Sequence, residues 1–173
     1  MPGAETSSRK TAFDPVVDGH TRLLILGSLP GEASLRARQY YAHPRNDFWR
    51  LIGGVIRHPD LADAPYPERL NTLTACGIGL WDVIAEADRV GSLDSAIRLP
   101  EYADLRTLVS ALPRLRAIAF NGGKSAKAGG QRLGPDDGRF ARITLPSSSP
   151  AHARLRLEDK MRAWSVLTGF LDQ

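Results

Sequence analysis

The sequence predicts an α/β fold, a parallel sheet covered by helices on both faces. Three observations predict it. Short apolar runs alternate with segments whose apolar residues recur at helical spacing. The runs are continuously apolar rather than alternating, as in strands buried on both sides. Each run ends in a loop rich in Gly, Ser, Asn, Asp or Pro, and in a parallel sheet those ends share the edge where ligands bind.

Residues 1–12 are small, polar and charged and read as a flexible tail, leaving residues 13–173 as one domain. Phe13, Val16 and Val17 are placed to pack beside the first strand, residues 22–26. Residues 34–41 predict a helix with Ser34 as its N-cap. Residues 48–57 predict a second, with Phe48, Leu51, Ile52 and Val55 on one face. Residues 59–67 form a turn-rich connection, followed by a helix over 68–75 that Gly77 stops. Residues 78–84 read as the second buried strand, and Gly91-Ser92 as a break. Leu105, Leu108, Val109 and Leu112 give helical spacing over 104–112. Residues 117–120 are the third strand, ended by Asn121-Gly122-Gly123, with a helix over 124–128. Residues 134–138 are a turn. Residues 141–145 are the fourth strand, ended by Pro146-Ser147-Ser148-Ser149-Pro150. In the last helix Leu157, Met161, Trp164, Leu167 and Leu171 form one apolar stripe bound for the core. No repeat or low-complexity tract interrupts the pattern.

The chain has 173 residues, enough for one domain with a sizeable core, and its 42% hydrophobic and 24% charged content is that of a globular protein. No run of apolar residues is long enough to span a membrane, and the N-terminus lacks an apolar signal core, so a cytosolic protein is expected. Cys76 is the only cysteine, which excludes an internal disulfide and Cys-built zinc or iron–sulfur sites. His20, His43, His58 and His152 show no metal-ligand spacing, so neither metal nor cofactor is expected. The net charge is +4, carried by 19 Arg and 4 Lys. Arg grips phosphate in a bidentate way, although a high-GC genome gives the same bias.

The strand-end loops carry the chemistry. Gly27-Ser28-Leu29-Pro30-Gly31 is either a tight turn whose N–H groups approach a phosphate or base, or an ordinary strand-to-helix turn. It matches no Walker loop, dinucleotide fingerprint or hydrolase elbow. Residues 40–49, Tyr-Tyr-Ala-His-Pro-Arg-Asn-Asp-Phe-Trp, offer a ring for stacking and, in His43-Pro44-Arg45, a phosphate contact or an ordered turn. Asn46 either orients a water or a ring edge, or caps the helix that starts at Phe48. Asp82 is either buried and hydrogen-bonded or aimed at a ligand. Asn121 either reads a base edge or makes an Asx turn. Lys124 raises Schiff-base chemistry, the weaker reading of that loop. Ser147, Ser148 and Ser149 suit phosphate contacts, or a merely solvated loop.

Together these motifs resemble the deoxyinosine (hypoxanthine) DNA glycosylases of the uracil-DNA glycosylase superfamily. The resemblance is carried by residues 27–31, by Gln39-Tyr40-Tyr41-Ala42-His43-Pro44-Arg45-Asn46-x-Phe48-Trp49, and by Gly79-Leu80-Trp81-Asp82-Val83. It extends to Gly91-Ser92-Leu93-Asp94, Phe120-Asn121-Gly122 and Leu145-Pro146-Ser147-Ser148-Ser149-Pro150-Ala151, and runs from about Phe13 to the C-terminus. It implies a three-layer α/β/α sandwich around a four-stranded parallel sheet. It implies double-stranded DNA with a deaminated base as the partner, flipping of that base, and hydrolysis of its N-glycosidic bond. Relatives would suggest a monomer.

In uracil-specific relatives an Asp or Asn precedes the first motif's proline. Here Leu29 stands there and cannot orient water, as in the hypoxanthine branch, whose key amide maps to Asn46. The stacking aromatic maps to Tyr41. Asp82 departs from the superfamily's Asn, and Leu145 from its His or Asn. The implied division of labour is Asn46 for catalysis, Tyr41, Asp82, Asn121 and Leu29 around the base, and Ser28, Arg45, Ser147, Ser148, Ser149 and His152 on the DNA backbone, with residues 149–153 as a wedge into the stack. Asn46 cannot take a proton at neutral pH, so a dissociative path is expected, with a water held by Asn46 capturing a cation-like sugar. No lysine is placed as a nucleophile, so strand cleavage is not expected. Three rivals stay open: excision mainly of uracil or thymine opposite guanine, a non-catalytic binder of damaged DNA, and an α/β small-nucleotide-binding protein.

Overall fold

The computed structural model describes residues 9–152 and 154–172. Four apolar segments form its central parallel sheet: β2 (Leu23–Gly27), β3 (Ile78–Asp82), β6 (Ala117–Asn121) and β7 (Ala141–Leu145), in the order β3-β2-β6-β7. β2 is fully buried because both faces are covered. With period two, Leu23 and Ile25 face one layer and Leu24 and Leu26 the other. The first layer holds α2 (Phe48–Val55), α3 (Tyr66–Ala75) and α6 (Leu157–Trp164), which bring Phe48, Leu51, Ile52, Leu73 and Trp164 to the core. The second holds α4 (Leu105–Ser110) and α5 (Gly123–Leu133), with Leu105, Val109 and Ala128. This is the expected three-layer sandwich. No helix among the described residues is long and apolar enough to cross a membrane.

Register decides where the loops meet. Gly27 pairs with Asp82 across β2 and β3, and Asn121 with Leu145 across β6 and β7. The chain leaves β2 for β3 on one side and returns to β6 on the other. The ends of β2 and β6 therefore flank a topological switch point, where open α/β sheets bind ligands.

A second sheet was not legible in the sequence. β1 (Arg9–Thr11), β4 (Ile84–Asp88) and β5 (Arg98–Tyr102) form an antiparallel sheet in the order β1-β4-β5. The flexible-tail reading is thus corrected for residues 9–11, while residues 1–8 lie outside the described residues. Arg9 lies within salt-bridge distance of Glu86 (2.6 Å), Glu101 (3.4 Å) and Asp88 (3.6 Å), and Lys10 of Glu32 (3.1 Å). The charges that made this segment look solvated are the ones that pair it. The single strand read over 78–84 is also two: after Asp82 the backbone bonds Val83 N–H to Gly27 O and Ile84 N–H to Ser28 O, and leaves the parallel sheet.

The second, third and fourth helices shift by at most two residues at an end, and three others differ from expectation by more. α1 spans Glu32–Ala37 with Gly31 as its N-cap, so Ser34 is not the cap. Ser34 is buried and its Oγ accepts the Ala42 N–H at 3.1 Å. The helix stops early because Arg38 and Tyr41 both take left-handed backbone (φ 55°), turning Tyr40 into the core. α5 runs on to Leu133, and Gly129 lets it lie against the Phe120 ring, where a Cβ would stand 2.4 Å from that ring. α6 gives way after Trp164 to a 3-10 turn over Ser165–Phe170. Trp164 and Leu167 are fully buried, but Met161 is 40% exposed, so the stripe is only partly core.

Candidate active site

A cavity of about 500 Å³ opens at the switch point. It is built from the loop after β2, the Tyr40–Asn46 segment, the end of β3, the β4–β5 connection, the start of α5 and the loop after β7. All four strand-end loops singled out in the sequence reach it.

Tyr41 lines the cavity, with its ring stacked on Phe48 at 3.9 Å between centroids and 17° between planes. Its hydroxyl is buried beside Asn121 and Asp82 but has no hydrogen-bond partner of good geometry among the described residues. Burial first, then the Asp82 charge, hold this phenol above its usual pKa, with Asn121 opposing.

Asp82 ends β3 and is 4% exposed. Its Oδ2 is buried without a hydrogen-bond partner among the described residues. Gly27 makes room for it: a Cβ there would lie 2.6 Å from Asp82 Oδ1 and 3.0 Å from the Tyr41 hydroxyl. Burial chiefly, with the Asp94 carboxylate adding and Arg89 opposing, pushes the Asp82 carboxyl up to about 7.

Asn46 lines the same cavity, and its Oδ1 accepts the Phe48 N–H at 3.0 Å. Asn46 thus bonds the first residue of α2 from the position before its N-cap, Asp47, and its amide nitrogen and a second oxygen lone pair are left for the cavity. Asn121 is more restricted. Its amide nitrogen donates to Ser148 Oγ at 2.9 Å and its oxygen accepts the Ser148 N–H at 2.9 Å. Ser148 is 1% exposed, so its side chain is committed to Asn121 rather than free for a phosphate, a correction to its expected role. Ser147, Ser149 and His152 line the cavity.

Ser28 also lines it, with its hydroxyl donating to Asp94 at 2.7 Å. Leu29 touches the cavity, yet it packs with Ile84, Ala87 and Ile97 into the core between the two sheets. Arg45 is exposed and does not line the cavity; its N–H donates to His43 Nδ1 at 3.1 Å. Residues 149–152 line the cavity, and Ala153, the last residue of the expected wedge, lies outside the described residues. Leu145 is 2% exposed in the core, so an apolar residue at the end of β7 serves packing.

Two site features escaped the sequence. Arg89 is 1% exposed, and its guanidinium donates to Gly91 O (2.9 Å), Leu29 O (3.5 Å) and Pro30 O, fastening the Gly27–Gly31 loop from behind. Nothing in the sequence marked it, since it follows directly on β4, a strand of the unforeseen sheet. Ser92 stood in the sequence only as part of a break and of the Gly91–Asp94 motif, with no role attached; its Oγ accepts the Glu32 N–H at 2.9 Å and holds the β4–β5 connection against α1. Asp94 beside it was visible only through the Gly91–Asp94 motif.

Comparison with known proteins agrees with this geometry. The family model of the uracil DNA glycosylase superfamily matches residues 15–168. The chain is 43% identical over 145 residues to a hypoxanthine DNA glycosylase of Methanosarcina acetivorans, covering 84% of this chain and 89% of that protein. It is 45% identical over 119 residues to the hypoxanthine DNA glycosylase of Methanosarcina barkeri, covering 69% and 75%. A solution NMR structure from M. acetivorans, described provisionally as a uracil DNA glycosylase, superposes with a TM-score of 0.81 at 40% identity over 94% of this chain and 98% of that one. With the match taking in every strand-end loop of the cavity, the chain belongs to the uracil DNA glycosylase superfamily.

Proposed function

We propose that this protein is a monofunctional DNA glycosylase that flips hypoxanthine out of double-stranded DNA and hydrolyses its N-glycosidic bond. The observation that carries the reading is the cavity at the switch point, where Tyr41, Asn46, Asp82 and Asn121 converge while Leu29 holds the place of a water-activating carboxylate or amide. The relatives named for hypoxanthine supply the base.

Extruding a base costs a few kcal/mol, and less for a weakened pair. Stacking on the Tyr41 face away from Phe48 offsets about 1–3 kcal/mol of that. Asn46 cannot act as a base, so it holds the water that captures a cation-like C1′ once the bond has loosened. Asn121, fixed by Ser148, presents its remaining amide hydrogen and lone pair to the ring edge. Ser147, Ser149 and His152 line the cavity for the phosphates, with the Lys124 cation beside them, whereas the Ser28 hydroxyl is spent on Asp94. The protein acts as a monomer in this reading.

The test is a duplex with one inosine, given to wild type and to Asn46→Ala. Wild type is expected to leave alkali-labile sites, and Asn46→Ala to bind the duplex while losing about 10²-fold or more in rate. Because Asn46 also accepts the Phe48 N–H, Asn46→Ala should cost about 0.5–2 kcal/mol of stability, so Asn46→Asp, which retains the acceptor, is the companion variant. Full activity in Asn46→Ala would sink the assignment. Uracil and thymine opposite guanine in the same panel decide the rival substrate reading.

A further inference from the structure

We propose that Asp82 is the acid of this site, handing a proton to N7 or N3 of the departing purine. The proposal rests on the glycosylase reading above.

The observation is a carboxyl group that the fold buries and then leaves incomplete. Asp82 is 4% exposed, lines the cavity, and has Oδ2 buried without a hydrogen-bond partner among the described residues. No Lys or Arg among the described residues forms a salt bridge with it. Arg89, the cation whose charge acts on Asp82, directs N–H groups of all three of its nitrogens to the carbonyls of Leu29, Pro30 and Gly91. The other titratable groups that act on Asp82 are the Tyr40 and Tyr41 phenols and the Asp94 carboxyl. An ionised carboxylate in such surroundings lacks the partners that buried charge requires, whereas a neutral carboxyl is tolerated and carries a proton to give. Its pKa, pushed up to about 7 chiefly by burial, agrees with that geometry and suits proton transfer near neutrality.

The group matches a need of this substrate class. A purine leaves poorly as an anion, and N7 and N3 are its free ring-nitrogen acceptors; uracil has none. As C1′–N9 breaks, its electron pair goes to the purine and the Asp82 proton goes to N7 or N3. The base leaves neutral and Asp82 becomes a carboxylate. The water at Asn46 adds its oxygen to C1′ and releases one proton to solvent, from which Asp82 is reprotonated. One water is consumed, with a hydroxyl gained at C1′ and a hydrogen on the base. Asp82 is thus suited to purines, while the Leu29 loop lacks the group that uracil-specific relatives place before their proline.

The test is single-turnover excision of inosine from a duplex between about pH 5.5 and 9, with wild type and Asp82→Asn, and with 7-deaza- and 3-deazainosine in place of inosine. Wild type is expected to be fastest in acid and to slow about tenfold per unit above about pH 7. Asp82→Asn, which offers a hydrogen bond but no transferable proton, should be about 10²-fold slower near pH 6 and lack that fall. One deaza substrate should erase both the wild-type advantage and the pH dependence, identifying the receiving atom. A wild-type rate that rises with pH, an Asp82→Asn profile like wild type's, or deaza substrates that both keep the full wild-type profile would overturn the proposal. The deaza arms use unmodified protein, so they hold even if Asp82→Asn folds poorly. Absence of any inosine excision by wild type counts against the glycosylase reading instead.

Discussion

Asn121 and Ser148 clasp each other through two hydrogen bonds of 2.9 Å, side chain to side chain and side chain to backbone, between the end of β6 and the loop after β7. Ser148 O in turn accepts the Asp47 N–H at 3.0 Å, next to Asn46. Three of the four strand-end motifs are therefore locked by one buried relay.

That relay predicts unequal variants. Asn121→Ala strands the Ser148 N–H and hydroxyl and should cost about 1–3 kcal/mol, whereas Ser148→Ala keeps one of the two bonds and should cost about 1 kcal/mol. Urea titration of both, and of the double variant, measures the coupling. A double variant equal to the sum of the singles would show the two residues acting independently.

Gly27→Ala tests the space shared by Asp82 and Tyr41. The new Cβ would lie 2.6 Å from Asp82 Oδ1, so the carboxyl must move. The expected outcome is a stability loss of about 1–3 kcal/mol and at least a tenfold fall in excision rate, read by denaturation and single-turnover kinetics.

The raised Asp82 pKa makes stability depend on pH in a defined direction. The folded carboxyl titrates near 7 and the ordinary one at 3.8, so the folded protein holds the proton more tightly. The stabilisation is complete below about pH 4 and is lost as pH rises to about 7. Three units correspond to about 4 kcal/mol at most. Asp82→Asn should flatten this slope and be more stable than wild type at pH 8, a comparison made by denaturant midpoints across pH.

Arg89→Met tests the fastening of the first motif. It leaves the carbonyls of Pro30 and Gly91 without their guanidinium donor, and the expected cost is about 2–4 kcal/mol with a parallel loss of excision. Unchanged stability would mean that the Gly27–Gly31 loop holds its shape without Arg89.

Most of the central sheet was legible, because Leu23-Leu24-Ile25-Leu26 and residues 117–120 are apolar without alternation, which suits strands covered on both sides. The second sheet was not. Arg9 and Lys10 carry no apolar pattern, and what orders them, the acidic groups on β4, β5 and α1, lies far along the chain. The two readings of Asn46 could not be separated from spacing alone; the bond to the Phe48 N–H uses only one of its oxygen lone pairs and so leaves the second reading open to test.

By itself the sequence determined the class of fold, the four loops that carry the site, and the loss of a polar group at Leu29, since these depend on residue type and local order. Only the tertiary structure decided which polar atoms are already committed. Ser148 is taken by Asn121, Ser28 bonds to Asp94, and Arg89 is turned inward, whereas the Tyr41 hydroxyl and Asp82 Oδ2 are left without partners among the described residues. The reason is physical: a side chain's donors and acceptors are fixed by its chemistry, but which of them remain for a ligand depends on neighbours brought together from distant parts of the chain.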